Sequence, residues 1–91
     1  MKPEEVRRRI EECQEKRLTE LDLSNDWNTP DEEKLNAIPV EVFDFVWLEK
    51  LNLSNNQLSE LPDSISLLQN LSELDLDNNQ LSELPDSISL L

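Results

Sequence analysis

Apolar positions in the second half of the chain follow a pattern that repeats every 23 residues. Residues 55–68 read NNQLSELPDSISLL, and residues 78–91 repeat the same 14 letters. An alternating segment precedes each copy, LEKLNLS at 48–54 and LSELDLD at 71–77. Alternate residues of a strand point the same way, whereas apolar steps of three and four suit a helical or 3₁₀ segment. Each unit therefore predicts a short strand and a return segment.

A third, more divergent copy precedes these two. The segment LTELDLS at 18–24 has the same alternation, with Leu21 and Leu23 expected to face inward. Seven extra residues then separate Leu23 from Leu35, which places an insertion at about 24–34. The chain therefore divides into three predicted repeat units, which are 18–47, 48–70 and a truncated 71–91.

The repeated pattern L-x-x-L-x-L-x-x-N-x-L-x-x-L-P resembles that of the leucine-rich repeat family over about residues 18–91. One such unit cannot bury its leucines alone, whereas stacked units can. The resemblance implies an α/β solenoid with a parallel sheet on its concave face. It also implies that Asn56 and Asn79 form a ladder that satisfies backbone groups between turns. In the first unit Asp26 stands at that position, which leaves the ladder there open.

Residues 1–17 predict an N-terminal capping helix. Pro3 suits the first turn of a helix, and Val6, Ile10 and Cys13 form one apolar stripe. A narrow stripe on a charged helix fits the cover of an open solenoid end. A helix that binds a partner is the alternative.

The opposite end of the solenoid has no comparable cover in the sequence. The third strand, at about 73–77, is expected to be a bare edge with apolar side chains beneath it. Such an edge invites pairing. Either a longer array continues from it or the chain self-associates through it, and the duplicated block favours the longer array.

The insertion predicts a short helical turn of its own. Thr29, Pro30 and Glu32 fit a capping box with proline at the first helical position. The turn is expected to run from Pro30 to about Asn36.

Three aromatic side chains lie in or near the insertion: Trp27, Phe43 and Trp47. One interpretation is that they pack together beneath the insertion. The other is that they present an exposed anchor for a partner, since tryptophan is enriched at binding hot spots.

Outward positions of the three predicted strands form three rows across the sheet. These rows are Glu20, Lys50, Glu73; Asp22, Asn52, Asp75; and Ser24, Ser54, Asp77. A solenoid presents such a surface to a partner, so we expect these nine residues to form a partner-binding concave face. A merely solvated polar face is the alternative.

The charge of the chain indicates the kind of partner. Eight basic and 21 acidic residues give a net charge of −13, and residues 51–91 contain no Lys or Arg. Such a surface repels nucleic acid and anionic membranes, so we expect a protein partner with a basic surface. The sequence has neither a recognisable secretory signal nor a long apolar run, which predicts a cytoplasmic protein.

The residue inventory argues against catalysis and against cofactors. The chain has no His, no Gly and one Cys, so it lacks the groups for a His-based triad, a Cys/His zinc site or a phosphate-binding loop. Residues 75–86 resemble the start of a calcium loop, but Gln80 replaces its glycine and Asp86 its final glutamate. We therefore expect no enzyme, no metal and no cofactor.

The sequence as a whole predicts a non-catalytic protein-interaction module. The alternative is an N-terminal targeting or regulatory piece of a larger signalling protein. The arrangement RRRIEEC…LTELDLS resembles the repeat region of bacterial Roco-type GTPases, whose activity would lie outside these residues.

Overall fold

A computed structural model describes residues 1–81 of the chain. Helix α1 is followed by three short strands, each separated from the next by 3₁₀ turns. The helix is Pro3–Lys16, and the strands are β1 (Glu20–Asp22), β2 (Lys50–Asn52) and β3 (Glu73–Asp75). The 3₁₀ turns are Asp31–Glu33, Val40–Asp44 and Asp63–Leu67.

The three strands form one parallel sheet in the order β1-β2-β3. Each strand pairs with the strand one repeat later, so Leu21 is aligned with Leu51 and Leu51 with Leu74. The predicted leucine-rich-repeat architecture with a parallel sheet and an N-terminal helix is confirmed. The expectation that the far end has no cap concerns residues that lie outside the described part of the chain.

The return segments are short because each starts immediately after a proline. Pro39 and Pro62 are extended, and their carbonyls then accept the N–H groups of Val42 and Ile65, both at 3.1 Å. These three-residue hydrogen-bond loops define 3₁₀ structure, which fits a narrow turn better than a full helix. Val42 and Ile65 are 0% exposed, so each return segment fixes one apolar side chain in the core.

The core is a stack of equivalent apolar residues from successive repeats. Its members come from α1, the inward strand positions and the return segments. They are Val6, Ile10, Cys13, Leu21, Leu23, Ile38, Val42, Phe45, Leu48, Leu51, Leu53, Leu58, Leu61, Ile65, Leu68 and Leu71. Because every repeat supplies the same positions, each layer buries the leucines of its neighbour.

Helix α1 covers the first layer of this stack. Its stripe of Val6, Ile10 and Cys13 is buried as predicted. The helix ends at Arg17, whose left-handed backbone, with φ of 50°, lets its N–H bond to the Cys13 carbonyl. Arg9 also donates to the Asp22 backbone oxygen at 2.8 Å, which joins the helix to the outer edge of β1.

The insertion contains less helix than predicted, and the predicted capping box is wrong. Only Asp31–Glu33 is helical, as a 3₁₀ turn without a side-chain cap. The Thr29 hydroxyl instead accepts the N–H of Asp26 at 3.1 Å, so it belongs to the preceding turn. Pro30 has an extended ψ of 145°, which prevents a helix from starting at Thr29.

Candidate functional site

The first outward row of the sheet contains an ion-pair network centred on Lys50. The register places Lys50 between Glu20 on β1 and Glu73 on β3. Its Nζ lies 3.5 Å from a carboxylate oxygen of Glu20 and 3.7 Å from one of Glu73. All three side chains are well exposed, so these contacts add little stability. They do, however, hold the only basic group of the face between two carboxylates.

The second row is built into the backbone at the end of each strand. The side-chain oxygens of Asp22, Asn52 and Asp75 each accept the N–H two residues further on, at 2.9, 3.0 and 3.0 Å. These local bonds turn the chain out of the strand. Asn52 makes the same bond without a charge, so the bond itself does not explain the carboxylates of Asp22 and Asp75.

The third row extends the pairing beyond the strands. The backbone oxygen of Ser54 accepts the N–H of Asn25 at 3.1 Å, and that of Asp77 accepts the N–H of Asn55 at 2.9 Å. Ser24 also donates its hydroxyl to Asp22. The nine predicted positions therefore lie on one continuous surface of three adjacent chain segments.

The centre of this concave face is a shallow depression of about 240 Å³. It is lined by residues of the first two rows and by the two leucines between them: Glu20, Leu21, Asp22, Lys50, Leu51, Asn52, Glu73 and Asp75. Four carboxylates and one ammonium group give the lining a net charge of −3. The lining residues are only those of the sheet, so the depression is open and suits a protruding group of a partner.

The asparagine ladder fixes the shape of this face from behind. Asn56 is 3% exposed and donates to the backbone oxygens of Leu23 and Leu53, both at 3.0 Å. Its own oxygen accepts the Leu35 N–H at 2.8 Å. One side chain therefore satisfies backbone groups of two consecutive turns. Asn79 is half-buried and makes equivalent bonds one repeat later.

Asn25 is a ladder residue that the sequence pattern did not identify. Its side-chain nitrogen donates to the oxygen of Asn56 at 2.8 Å. Asp26, which occupies the pattern position, is exposed and bonds to Thr29 instead. A carboxylate cannot donate a hydrogen bond, and this explains why the neighbouring amide takes the place. An asparagine next to an aspartate at the ladder position was the available signal.

The three aromatic residues do not form one cluster. Trp27 is 85% exposed, so the interpretation that it packs beneath the insertion is wrong. Trp47 instead stacks on Phe45, with ring centroids 5.2 Å apart, and the Arg17 guanidinium lies 5.1 Å from its ring centre. Phe43 is partly buried against the core. The seven-residue insertion extends beyond the stack, and this removes Trp27 from the other two.

Cys13 is a buried core thiol. It is 0% exposed and donates to the Leu18 backbone oxygen at 3.4 Å. Burial raises the pKa of the Cys13 thiol, and the nearby Trp47 indole and Leu18 backbone partly offset this. The Trp47 Nε1 has no hydrogen-bond partner of normal geometry among residues 1–81. A neutral, enclosed thiol of this kind is a poor nucleophile.

Metal-binding and membrane-spanning features were also sought in the described part of the chain. Residues 1–81 bring no three His, Cys, Asp or Glu side chains together in a way that could hold a metal ion. None of the helices described over the same range has the length and apolarity that a bilayer crossing requires.

The comparison with protein families agrees with the repeat period and the ladder. Residues 46–89 match the family model described as leucine-rich repeats in two copies. The chain contains leucine-rich repeats. The first repeat and its insertion lie before the matched range, in the more divergent part of the sequence.

A solved structure extends the likeness to nearly the whole chain. A leucine-rich-repeat protein of Leptospira interrogans is 40% identical, with a TM-score of 0.71 over 90% of this chain. The alignment covers 19% of that protein, so this chain spans about a fifth of the length of the solved structure that it matches. No curated protein sequence matches the chain.

Proposed function

We propose that this leucine-rich-repeat chain is a non-catalytic binding module that recognises a basic surface of a partner protein with its concave face. The observation that carries the proposal is the aligned first two rows, where four carboxylates surround Lys50 and line one open depression. Leucine-rich repeats are a typical protein-interaction scaffold, and a rigid sheet pays little entropy on binding.

Charge gives this face its expected selectivity. The acidic groups lie on β1 and β3, whereas the central strand carries Lys50 and Asn52. A partner that places Lys or Arg groups over the two outer strands would find opposite charge on both sides. Complementary charge of this kind raises association rates and selects against acidic partners.

Trp27 is a second contact that supports recognition of a protein. An 85% exposed tryptophan lies in the insertion that follows β1, next to Asp26. An amphipathic indole beside a carboxylate suits a contact with an Arg or Lys side chain of a partner. In this proposal Trp27 extends the concave face on the side of β1.

Site-specific photo-cross-linking in the source cells tests the proposal. A benzophenone amino acid replaces Glu20 on the concave face, and in a matched control it replaces Gln69, which is exposed in the turn after the third 3₁₀ segment. We expect a specific cross-linked protein from position 20 and none from position 69. Cross-links from position 69 alone would mean that the opposite surface binds the partner.

A second candidate is that these repeats are a targeting or regulatory part of a longer signalling protein. The observation in its favour is that the chain spans about a fifth of the solved protein that it matches. The Roco-type relationship and the cytoplasmic location stay predictions. An antibody against residues 3–17, followed by mass spectrometry of the captured protein, separates the candidates. A mass near 10.6 kDa supports the small module, and a much larger mass supports the longer protein.

A further inference from the structure

The outer edge of β3 differs from the corresponding part of β2 in how well its leucines are buried. Leu51 and Leu53 are 1% and 0% exposed because β3 and its loop cover them. Their equivalents one repeat later, Leu74 and Leu76, are only partly buried. The sequence at the two places is nearly the same, so the difference reflects a missing neighbour rather than a different side chain.

The backbone of β3 also lacks a neighbour on this side within residues 1–81. Glu73 donates its N–H to Glu49, and Asp75 accepts the N–H of Leu53, so both turn their backbone groups toward β2. Successive residues of a parallel strand bond to opposite sides. The N–H groups of Leu74 and Leu76 therefore point toward the open edge.

The side chains above this edge are all acidic. Glu73, Asp75 and Asp77 occur at every second position, so they lie in a line on the concave side of the strand. Partly buried leucines alternate with them. The edge therefore presents a carboxylate and an apolar group in strict alternation, beside unpaired N–H groups.

Two occupants fit this edge poorly. A second copy that pairs β3 with β3 would place acidic groups directly opposite acidic groups, which destabilises a sheet. A head-to-tail stack would need an open edge at β1. That edge is covered by α1, with Arg9 bonded to the Asp22 backbone oxygen.

We propose that the open edge of β3 binds an extended segment of another protein in which Lys or Arg alternates with leucine-sized apolar residues. Strand addition would satisfy the N–H groups of Leu74 and Leu76, and the apolar residues of the segment would cover their side chains. Its basic residues would lie beside Glu73, Asp75 and Asp77. Lys50 already provides this arrangement on the opposite side of Glu73, at 3.7 Å. The site is separate from the centre of the concave face.

Fluorescence anisotropy with short labelled peptides tests the proposal on the full chain. The probe contains Lys-Leu-Lys-Leu-Lys, and the control peptide contains Lys-Lys-Leu-Leu-Lys, which has the same charge without the alternation. We expect the alternating peptide to bind at least about tenfold more tightly, because only alternation places leucines inward and lysines outward. Equal binding of the two peptides would mean simple charge attraction and would overturn the proposal.

Matched variants locate the site. Glu73→Gln/Asp75→Asn removes two charges from β3, and Glu20→Gln/Asp22→Asn removes the equivalent charges from β1. Asparagine keeps the local backbone bond, as Asn52 does. We expect the β3 variant to weaken binding about tenfold or more and the β1 variant less than about threefold. Equal weakening would assign the peptide to the centre of the concave face, which overturns the edge site and leaves the proposed function intact.

Amide hydrogen exchange gives an independent readout at the backbone. Bound peptide should slow exchange at Leu74 and Leu76, whose N–H groups face the edge, and leave Glu73 unchanged. Absence of binding by the alternating peptide would overturn the proposal. Sedimentation of the chain alone then separates the reasons, since a mass that rises with concentration means that a second copy occupies the edge. A constant monomer mass means that the chain covers the edge itself.

Discussion

At the scale of single residues, the ladder asparagines show how one side chain joins two turns. Asn56 is nearly fully buried, and it both accepts from Leu35 and donates to Leu23 and Leu53. Buried backbone oxygens that lose their donor cost about 1–3 kcal/mol each. The amide is therefore required for its N–H groups, and this explains why Asp26 does not act in the same way in the first repeat.

Asn56→Asp should destabilise the chain by about 3 kcal/mol or more at pH 7, because it removes two donors and buries a carboxylate. Burial would raise the pKa of the new carboxyl above its unfolded value. The loss relative to the parent chain should therefore be smaller at pH 4 than at pH 7. Urea unfolding at both pH values measures it.

Asn28→Asp is the matched control for this substitution, since it adds the same charge at an exposed position. Its expected cost is within about 0.5 kcal/mol. A comparable loss of stability in both variants would show that added charge, rather than the lost donors, is responsible.

At the scale of elements, α1 contributes to folding through one face. Its charged positions face solvent, while Val6, Ile10 and Cys13 extend the core beyond β1. Contacts of Arg8 with Glu5 and Glu12 support the helix, and hydrogen bonds to Arg8 and Arg9 lower the pKa of the exposed Glu5 carboxyl. Such exposed pairs contribute little, so the apolar stripe decides whether the helix docks.

Ile10→Ala should lower the free energy of unfolding by about 2–4 kcal/mol, because the side chain is 2% exposed and its removal leaves a cavity above the first repeat. Glu11→Ala, at the next position on the exposed face, should change it by no more than about 0.5 kcal/mol. Thermal unfolding followed by circular dichroism compares the two. Equal effects would mean that α1 does not cover the solenoid in solution.

At the scale of the whole molecule, repulsion between acidic groups opposes the compact state. The net charge of −13 is spread over 91 residues, and few of the carboxylates have a basic partner. Repulsion of this kind is long-ranged and is reduced by salt. The stability of the solenoid therefore depends on ionic strength as well as on packing.

Raising NaCl from about 0.01 to 0.3 M should increase the stability of the chain by roughly 0.5–1 kcal/mol, because the Debye length falls below the spacing of the surface charges. Urea titrations at each salt concentration measure it. A variant with Glu11→Gln and Glu15→Gln has a net charge of −13 + 2 = −11 and should respond less. A decrease of stability with salt would show that attractive ion pairs outweigh repulsion.

The sequence by itself determined the repeat period, the inward leucines, the register of the outward rows and the stripe of α1. These features follow from local spacing, because a period of 23 residues places equivalent side chains in equivalent positions. Pattern matching located Asn56 for the same reason.

Tertiary structure alone decided which groups meet across turns. Asn25 replaces Asp26 in the ladder, Lys50 pairs with two glutamates, and Trp27 remains exposed while Trp47 stacks on Phe45. The insertion interrupts the period, so no spacing rule applied to it, and hydrogen-bond partners were chosen by distance after stacking. The extent of burial at Leu74 likewise depends on its neighbours in space rather than on its position in the repeat.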